Sequence, residues 1–243
     1  MPEIRQRRPA NTGSQEIPAG GGIDPHWHEQ HQIVYAGRGV LSVTTDAGNW
    51  IAPANRAIWV PAGTLHQHRA YGETALHTVG LTDNPLNLDV PSALVVSSLL
   101  RELILAHTTL ETDPTEQHRL YLVLLDQLRR SPQRPTYLPT PRDPRLAAVC
   151  KLLEVDPADN RTLTELGREI GASERTLSRL CKADLGMTFP QWRTELRLHL
   201  ALRLLAEGGS VTRVAHQCGW ASTSAFIDAF RRAFGHTPGT RSA

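Results

Sequence analysis

The sequence of 243 residues has few cysteines and no long apolar run. Its three cysteines, Cys150, Cys181 and Cys218, are widely spaced and odd in number. This argues against a disulfide framework or a zinc ribbon and predicts reduced, buried side chains. Because no run of about 18 apolar residues occurs, we expect no membrane span. The N-terminal residues 1–15 are polar and lack the apolar core of a signal peptide, which predicts a cytoplasmic protein.

Net charge is also small, because 26 Lys and Arg residues nearly balance 24 Asp and Glu residues. The charge is unevenly distributed along the chain. Residues 1–91 contain 6 basic and 8 acidic side chains, whereas residues 144–243 contain 14 basic and 10 acidic ones. A positive excess in the last hundred residues favours contact with a polyanion, although an ordinary solvated surface has the same composition.

The pattern of apolar residues divides the chain into four segments and predicts an α+β multidomain protein. Residues 1–91 contain short alternating runs separated by glycine turns, which predict an antiparallel β-barrel. Residues 92–130 have leucines at helical spacing and predict a helical hairpin. Residues 131–143 are rich in proline and predict an extended linker. Residues 144–243 have helical periodicity and predict an all-α domain.

The all-α segment contains an internal repeat of about 48 residues, starting at Thr162 and again at Ser210. Each copy has a helix start, a glycine for a left-handed turn and a serine to cap a second helix. Two short helices joined in this way form a helix-turn-helix, whose second helix enters the major groove of DNA. We therefore predict motifs at about 162–184 and 210–234, joined by a helix of about 19 residues.

Residues 144–243 resemble the AraC/XylS family of bacterial transcription regulators. The residues that carry the resemblance are LTELGREIGASERTLSRLCKADLGMTFP and VAHQCGWASTSAFIDAFRRAFGHTPG. The resemblance covers the whole hundred-residue region. It implies a protein that binds double-stranded promoter DNA and that contacts RNA polymerase if it is an activator.

The resemblance also implies individual DNA contacts. In the first recognition helix the positions are Arg175, Ser178, Arg179 and Lys182, the last directed at phosphate. In the second they are Thr223, Ser224, Ile227 and Asp228, followed by Arg231 and Arg232 as phosphate anchors. Because arginine is the best reader of guanine edges and an aspartate is repelled by phosphate, we expect the first helix to read most of the sequence.

A second resemblance, near the N-terminus, is to the cupins, which are small antiparallel β-barrels. The residues that fit the two cupin motifs are Gly20, His26, His28, Gln32 and Gly39, then Pro61, Gly63 and His66. In metal-binding cupins the matching ligands are His26, His28, the residue at position 32, and His66. Position 32 is Gln here, where the family commonly has Glu, and an amide is a weaker metal ligand than a carboxylate.

Two interpretations of this site remain open. Three histidines are sufficient to hold Zn²⁺, Fe²⁺ or Ni²⁺ with an open position, and the same imidazoles also suit a metal-free pocket for a small molecule. Strand alternation places His31 on the opposite face from the site. Alternation places His68 on the same face as His66, but two residues further along the strand. We interpret His77 as structural.

Together the segments predict a regulator whose cupin domain senses a small molecule or a metal and controls promoter binding. The hairpin leucines at 94–105 and 120–128 favour a homodimer, with packing against the barrel of the same subunit as the alternative. The alternative function is a cupin metalloenzyme, an oxygenase or isomerase, that carries a DNA-binding domain. The missing carboxylate at position 32 argues against it, and we predict no enzymatic activity.

Overall fold

The computed structural model describes residues 6–111, 113–133 and 137–239. The predicted domains also extend over residues outside this part of the chain, namely 1–5, 112, 134–136 and 240–243. The described residues form two compact units. The first contains residues up to 133 except 47–49, and the second contains 47–49 and 137–239.

The first unit is built around one sheet, which is antiparallel except where its first strand joins the third. The strands are β1 (Gln6–Arg7), β2 (Gly13–Ile17), β3 (Gly22–Trp27), β4 (His31–Thr45), β5 (Gly48–Pro53), β6 (Arg56–Val60), β7 (His66–Leu81) and β8 (Ser92–Val95). The long strands β4 and β7 pair with each other along most of their length. β2 and β3 pair with β7, β6 pairs with β4, and β8 pairs with β6. The predicted antiparallel β-fold is confirmed.

One part of the helical prediction is wrong. Leu94 and Val95 fit helical spacing, but the structure places them in β8, opposite Ala57 and Arg56 of β6. The first helix starts only at Ser98, capped by the Ser97 side chain. A short apolar run is compatible with both helical and strand spacing, and here pairing with the neighbouring strand β6 makes the segment a strand.

The helical hairpin consists of α1 (Ser98–Thr109) and α2 (Pro114–Arg130). Its buried leucine and isoleucine side chains pack against the sheet of the same unit, which is the alternative weighed from the sequence. Those side chains are Leu100, Leu103, Ile104, Leu124 and Leu128. Leu99, Leu122 and Val123 are exposed, so the hairpin also presents apolar side chains to solvent.

The second unit is helical apart from the short strand β9 (Tyr137–Pro139). Its helices are α3 (Pro144–Val155), α4 (Leu163–Ile170), α5 (Glu174–Asp184), α6 (Phe189–Ala206), α7 (Val211–Gln217) and α8 (Thr223–Phe234). The pairs α4–α5 and α7–α8 correspond to the two predicted helix-turn-helix motifs. The capping box predicted at the start of α4 is present, since the Thr162 and Glu165 side chains each accept from the other's backbone N–H.

The linking helix α6 is an 18-residue helix, about 27 Å long at 1.5 Å per residue. Trp192 and Leu196 of α6 join the core formed by α3, α4 and α5. The three cysteines are buried and free, as expected. Within the described residues, no helix combines the length and the apolar character needed to cross a membrane.

Two glycines at equivalent positions of the repeat provide a stability test. Gly171 and Gly219 both have a positive φ, 73° and 75°, which favours glycine. A Cβ on Gly171 would meet nothing within 4 Å, whereas one on Gly219 would lie 2.6 Å from the Cα of Ala158. We expect Gly171→Ala to cost about 1 kcal/mol through backbone strain, and Gly219→Ala to cost at least about 1 kcal/mol more through overpacking. Urea unfolding of both variants measures the difference, and equal losses would contradict the predicted close packing.

Candidate functional site

Four histidines lie together on one side of the sheet. His26 on β3 is directly opposite His66 on β7, and their ring centroids are 4.4 Å apart. His28 follows β3, and its ring lies 4.8 Å from that of His26 and 5.2 Å from that of His66. His68 lies 5.0 Å from His66 and 5.5 Å from His26. All four side chains are buried. The predicted site residues His26, His28 and His66 are therefore brought together.

Hydrogen bonds orient three of these rings. In His26, His28 and His66 the Nδ1 atom lies within hydrogen-bond distance of a backbone carbonyl oxygen. The carbonyls belong to Asp24, Arg8 and Thr64, at 2.7, 2.7 and 2.8 Å respectively. Because a carbonyl oxygen only accepts, each Nδ1 carries the hydrogen and each Nε2 of a neutral ring keeps its lone pair. A ring whose Nδ1–H donates to a backbone carbonyl while its Nε2 stays available is typical of metal-binding histidines.

The buried position also favours the uncharged form of His26, His66 and His68. Burial lowers the pKa of His66 to about 4, with smaller contributions in the same direction from the neighbouring imidazoles His26 and His28. Burial holds the pKa of His68 well below its usual range and also lowers the pKa of His26. At neutral pH these rings are therefore neutral, which is the protonation state that a metal ligand requires.

Several polar atoms of the cluster have no hydrogen-bond partner among the described residues. They are Nε2 of His28, Nε2 of His66, both ring nitrogens of His68, and Oε1 of Gln32. The candidate ligand atoms of His26, His66 and His68 all lie within 4.8 Å of one another. Since a buried polar atom without a partner is costly, these lone pairs fit a bound divalent metal.

A cavity of about 360 Å³ adjoins the cluster. His26, His28, His68 and Gln32 form one side of it, and polar residues of the N-terminal segment, including Ser14 and Gln15, form another. The Gln32 side chain is buried, with its carbonyl oxygen facing no hydrogen-bond donor in the described chain. A cavity of this volume is large enough for a small organic molecule.

Two further histidines of the unit, His31 and His77, lie outside the cluster and have contacts of their own. His31 stacks on Trp59 at 4.9 Å and its Nδ1 accepts from the backbone N–H of Ala62, outside the cluster. His77 is hydrogen-bonded to the Thr108 hydroxyl of α1 at 2.7 Å. The sequence interpretation set His68 apart from the site, but the structure places it in the cluster. The sequence did contain one signal for this, because residues two positions apart on a strand, such as His66 and His68, project from the same face.

The first recognition helix, α5, has a clear division between its faces. Leu177, Leu180 and Cys181 are buried in the core of the second unit. Of the predicted DNA contacts, Arg175, Arg179 and Lys182 are exposed and Ser178 is partly exposed. None of the three cations forms an ion pair with a described residue.

The second recognition helix, α8, buries Phe226, Phe230 and Phe234. Of the predicted contacts, Ser224, Asp228, Arg231 and Arg232 are exposed, and Thr223 and Ile227 are partly exposed. The Asp228 carboxylate forms an ion pair with Arg231, one turn further along, at 3.1 Å. One of the two predicted anchors in this helix is therefore already paired.

Comparison with known proteins gives matches to both units. A family model described as a helix-turn-helix domain matches residues 166–241, and one described as a cupin domain matches residues 13–81. The chain is 32% identical over 218 residues to the HTH-type transcriptional regulator NimR of Escherichia coli K12, a match that covers 88% of this chain and 80% of that protein.

Two further matches are confined to part of the chain. The chain is 42% identical over 103 residues to the HTH-type transcriptional regulator RipA of Corynebacterium glutamicum, which is 42% of this chain and 30% of that protein. A crystal structure of a transcriptional regulator from Chromobacterium violaceum, described by its AraC-type DNA-binding domain, is 30% identical with a TM-score of 0.37. That match covers 39% of this chain and 86% of the other.

Proposed function

This chain belongs to the AraC/XylS family of transcriptional regulators, and we propose on that basis that an effector held by its cupin domain controls its binding to promoter DNA. The observation that carries the proposal is the pairing of two helix-turn-helix motifs with a buried histidine cluster that opens into a cavity. Such a protein acts on DNA, and we place it in the cytoplasm of its cell.

We propose that α5 reads bases through Arg175, Ser178 and Arg179, and that Lys182 contacts phosphate. Support comes from the exposure of the three cations of α5 and from the absence of ion pairs to them within the described chain. In α8 we assign Thr223, Ser224, Ile227 and Asp228 to the groove, and Arg231 and Arg232 to phosphates. Arg232 is exposed, whereas Arg231 must exchange Asp228 for phosphate.

We propose that the cupin domain binds a divalent metal, Zn²⁺, Fe²⁺ or Ni²⁺, together with or in place of a small organic effector. His26, His28 and His66 hold the metal, and Gln32 faces the cavity. When bound, the metal supplies a Lewis-acidic centre to which an effector can attach. We propose that this site senses rather than catalyses, since the residues lining the cavity in the described chain include no carboxylate to serve as an acid or base.

We also propose a homodimer formed through the solvent-facing side of the hairpin. Leu99 on α1 and Leu122 and Val123 on α2 are exposed, even though other leucines of the same helices are used in packing against the sheet. Exposed apolar side chains on neighbouring helices favour association of two copies. Contact with RNA polymerase follows if the protein activates transcription.

Genome-wide footprinting with and without added Zn²⁺ or candidate organic ligands tests the proposed function. We expect protected sites upstream of a small set of genes, with occupancy that changes when the effector is present. Footprints that are absent, or that are distributed without sequence preference, would contradict promoter-specific binding.

Replacing His66 tests the link between the cupin site and transcription. We expect His66→Ala to shift the effector concentration needed for half of the promoter-reporter response by about tenfold or more, because one metal ligand is lost. His31→Ala is the matched control, since His31 lies outside the cluster, and we expect it to respond normally. A His66→Ala protein that binds DNA and responds like the unmodified protein would exclude this site as the sensor.

A further inference from the structure

We propose that His68 is the fourth ligand of the metal site, in place of the carboxylate that position 32 lacks, and that the resulting centre binds a small organic anion from the adjoining cavity. The first half of this proposal concerns metal binding alone. The second half rests on the proposed function, because it names the chemical class of the effector.

The position of His68 is the first argument. His68 lies two residues beyond His66 on β7, so both side chains project from the same face of the sheet. Its backbone pairs with Ile23 of β3 and Val43 of β4, and the residue is buried, with 4% of its surface exposed. Its ring is within 5.5 Å of the rings of His26 and His66. Among the described residues of the unit, His28 is the other imidazole that lies this close to these rings.

The missing hydrogen bonds of His68 are the second argument. A histidine with a purely structural role is expected to bond its ring nitrogens to the protein, as His77 does with Thr108. Neither ring nitrogen of His68 has such a partner among the described residues. Leaving a buried polar group without a partner is destabilising, and a metal bound at one of these nitrogens removes that cost.

The spacing of the donor atoms is compatible with a single ion. Two nitrogens bound to one tetrahedral Zn²⁺ lie about 3.4 Å apart, since each Zn–N bond is about 2.1 Å long. The ligand atoms of His26, His66 and His68 lie within 4.8 Å of one another. Shifts of less than about 1 Å in each side chain therefore close these three ligands around an ion.

The charge of the site identifies the effector. Four neutral imidazoles leave a bound divalent ion with its full positive charge, and a buried charge of this kind requires a counter-charge. The described residues lining the cavity provide no carboxylate, but they include the guanidinium of Arg8. The remaining polar lining consists of hydroxyl and amide groups, including Ser14, Thr78 and Gln32. This combination fits an organic carboxylate, whose anionic end binds the metal and whose polar body bonds to the lining.

The metal half is tested on the full chain stripped of metal by a chelator. Zn²⁺ affinity is measured by competition with a chromophoric chelator, and X-ray absorption at the zinc edge counts the imidazole ligands. We expect four imidazoles in the unmodified protein and three in His68→Gln, with a loss of affinity of about tenfold or more. His31→Gln is the matched control, because it makes the same change at a histidine that lies outside the cluster, and we expect its Zn²⁺ affinity to be unchanged.

Three imidazoles in the unmodified protein, or an unchanged affinity in His68→Gln, would overturn the four-histidine centre. The count in the unmodified protein decides the question even if the variant fails to fold. A chain that binds no Zn²⁺ but still gives promoter footprints overturns this inference and leaves the proposed function intact. A chain that binds Zn²⁺ through four imidazoles but gives no footprints supports this centre and overturns the proposed function.

The anion half is tested with acetate as the probe and acetamide as its neutral counterpart. With Co²⁺ bound in place of zinc, we expect acetate to change the visible spectrum of the metal and acetamide to leave it unaltered. Gln32→Ala is expected to weaken the acetate response at least about threefold, since a hydrogen bond that the Gln32 amide N–H donates to the carboxylate is lost. Equal effects of acetate and acetamide, or no response to acetate, would overturn the assignment of an anionic effector.

Discussion

Arg179→Ala is expected to weaken operator binding by about 1–3 kcal/mol, or roughly 5- to 150-fold in affinity, whereas Asp228→Ala is expected to leave it unchanged or to strengthen it. The reason lies in the surroundings of the two side chains. Arg179 is exposed on α5 without an ion-pair partner in the described chain, so its guanidinium is free to bond to a guanine edge. Asp228, which we propose faces the DNA groove, instead carries a negative charge and is paired with Arg231.

Removing the Asp228 carboxylate has two consequences, and both are expected to strengthen DNA binding. It removes a charge that phosphate repels, and it releases Arg231 from the 3.1 Å ion pair so that this guanidinium can contact the DNA backbone. Both groups are more than half exposed, so the pair itself contributes little to stability and its loss leaves the fold unaffected. Gel shifts at two salt concentrations separate this general electrostatic gain from any change in base preference.

Lys182→Ala is the matched control for Arg179→Ala. Both changes remove one exposed positive charge from α5. If Arg179 reads a base and Lys182 contacts phosphate, only Arg179→Ala relaxes the preference at one position of the operator, while Lys182→Ala weakens all sequences alike. A larger loss in Asp228→Ala than in Arg179→Ala would contradict the division of roles between the two helices.

The helical unit was predictable from the sequence because its signals are local. Thr162 with Glu165, Gly171 and Ser173 each act within a few residues of their own position, and the structure uses each of them as predicted. Repetition of the pattern 48 residues later made the second motif equally clear. By contrast, Leu94 takes its conformation from a partner strand distant in sequence, and no local pattern reveals that partner.

The histidine cluster was only partly predictable, for a similar reason. The spacing of His26, His28 and His66 followed known motifs, and the cross-strand register brings these residues together. The role of His68 depends on what surrounds its ring after folding, namely the neighbouring imidazoles and the absence of a hydrogen-bond partner within the described residues. The alternation of side chains along a strand indicates which face a residue occupies, but it does not indicate which polar atoms remain without a hydrogen-bond partner.

The linking helix α6 contains a carboxylate that the sequence did not single out. Glu195 is largely buried, and burial raises its pKa to about 7, with no cation or hydrogen-bond donor among the described residues to offset the effect. In the unfolded chain the carboxyl group ionises near pH 4.5. The folded protein therefore holds the proton of Glu195 more tightly than the unfolded chain does. The contribution of this carboxyl group to the free energy of unfolding is fully present below about pH 4.5 and is lost as the pH rises towards 7.

We expect Glu195→Gln to stabilise the protein by up to about 3 kcal/mol at pH 8 and by less than about 1 kcal/mol at pH 5. The amide has a similar shape but carries no charge, so it avoids the cost of burying an ionised carboxylate. Urea unfolding of the full chain, followed by helical circular dichroism at the two pH values, measures both quantities. Glu207→Gln, at the exposed C-terminal end of α6, makes the same chemical change in water and is expected to shift stability by less than about 0.5 kcal/mol at either pH. If Glu195→Gln gives the same free-energy change at pH 5 and pH 8, the carboxylate is not buried in the charged form and the predicted pH dependence is wrong.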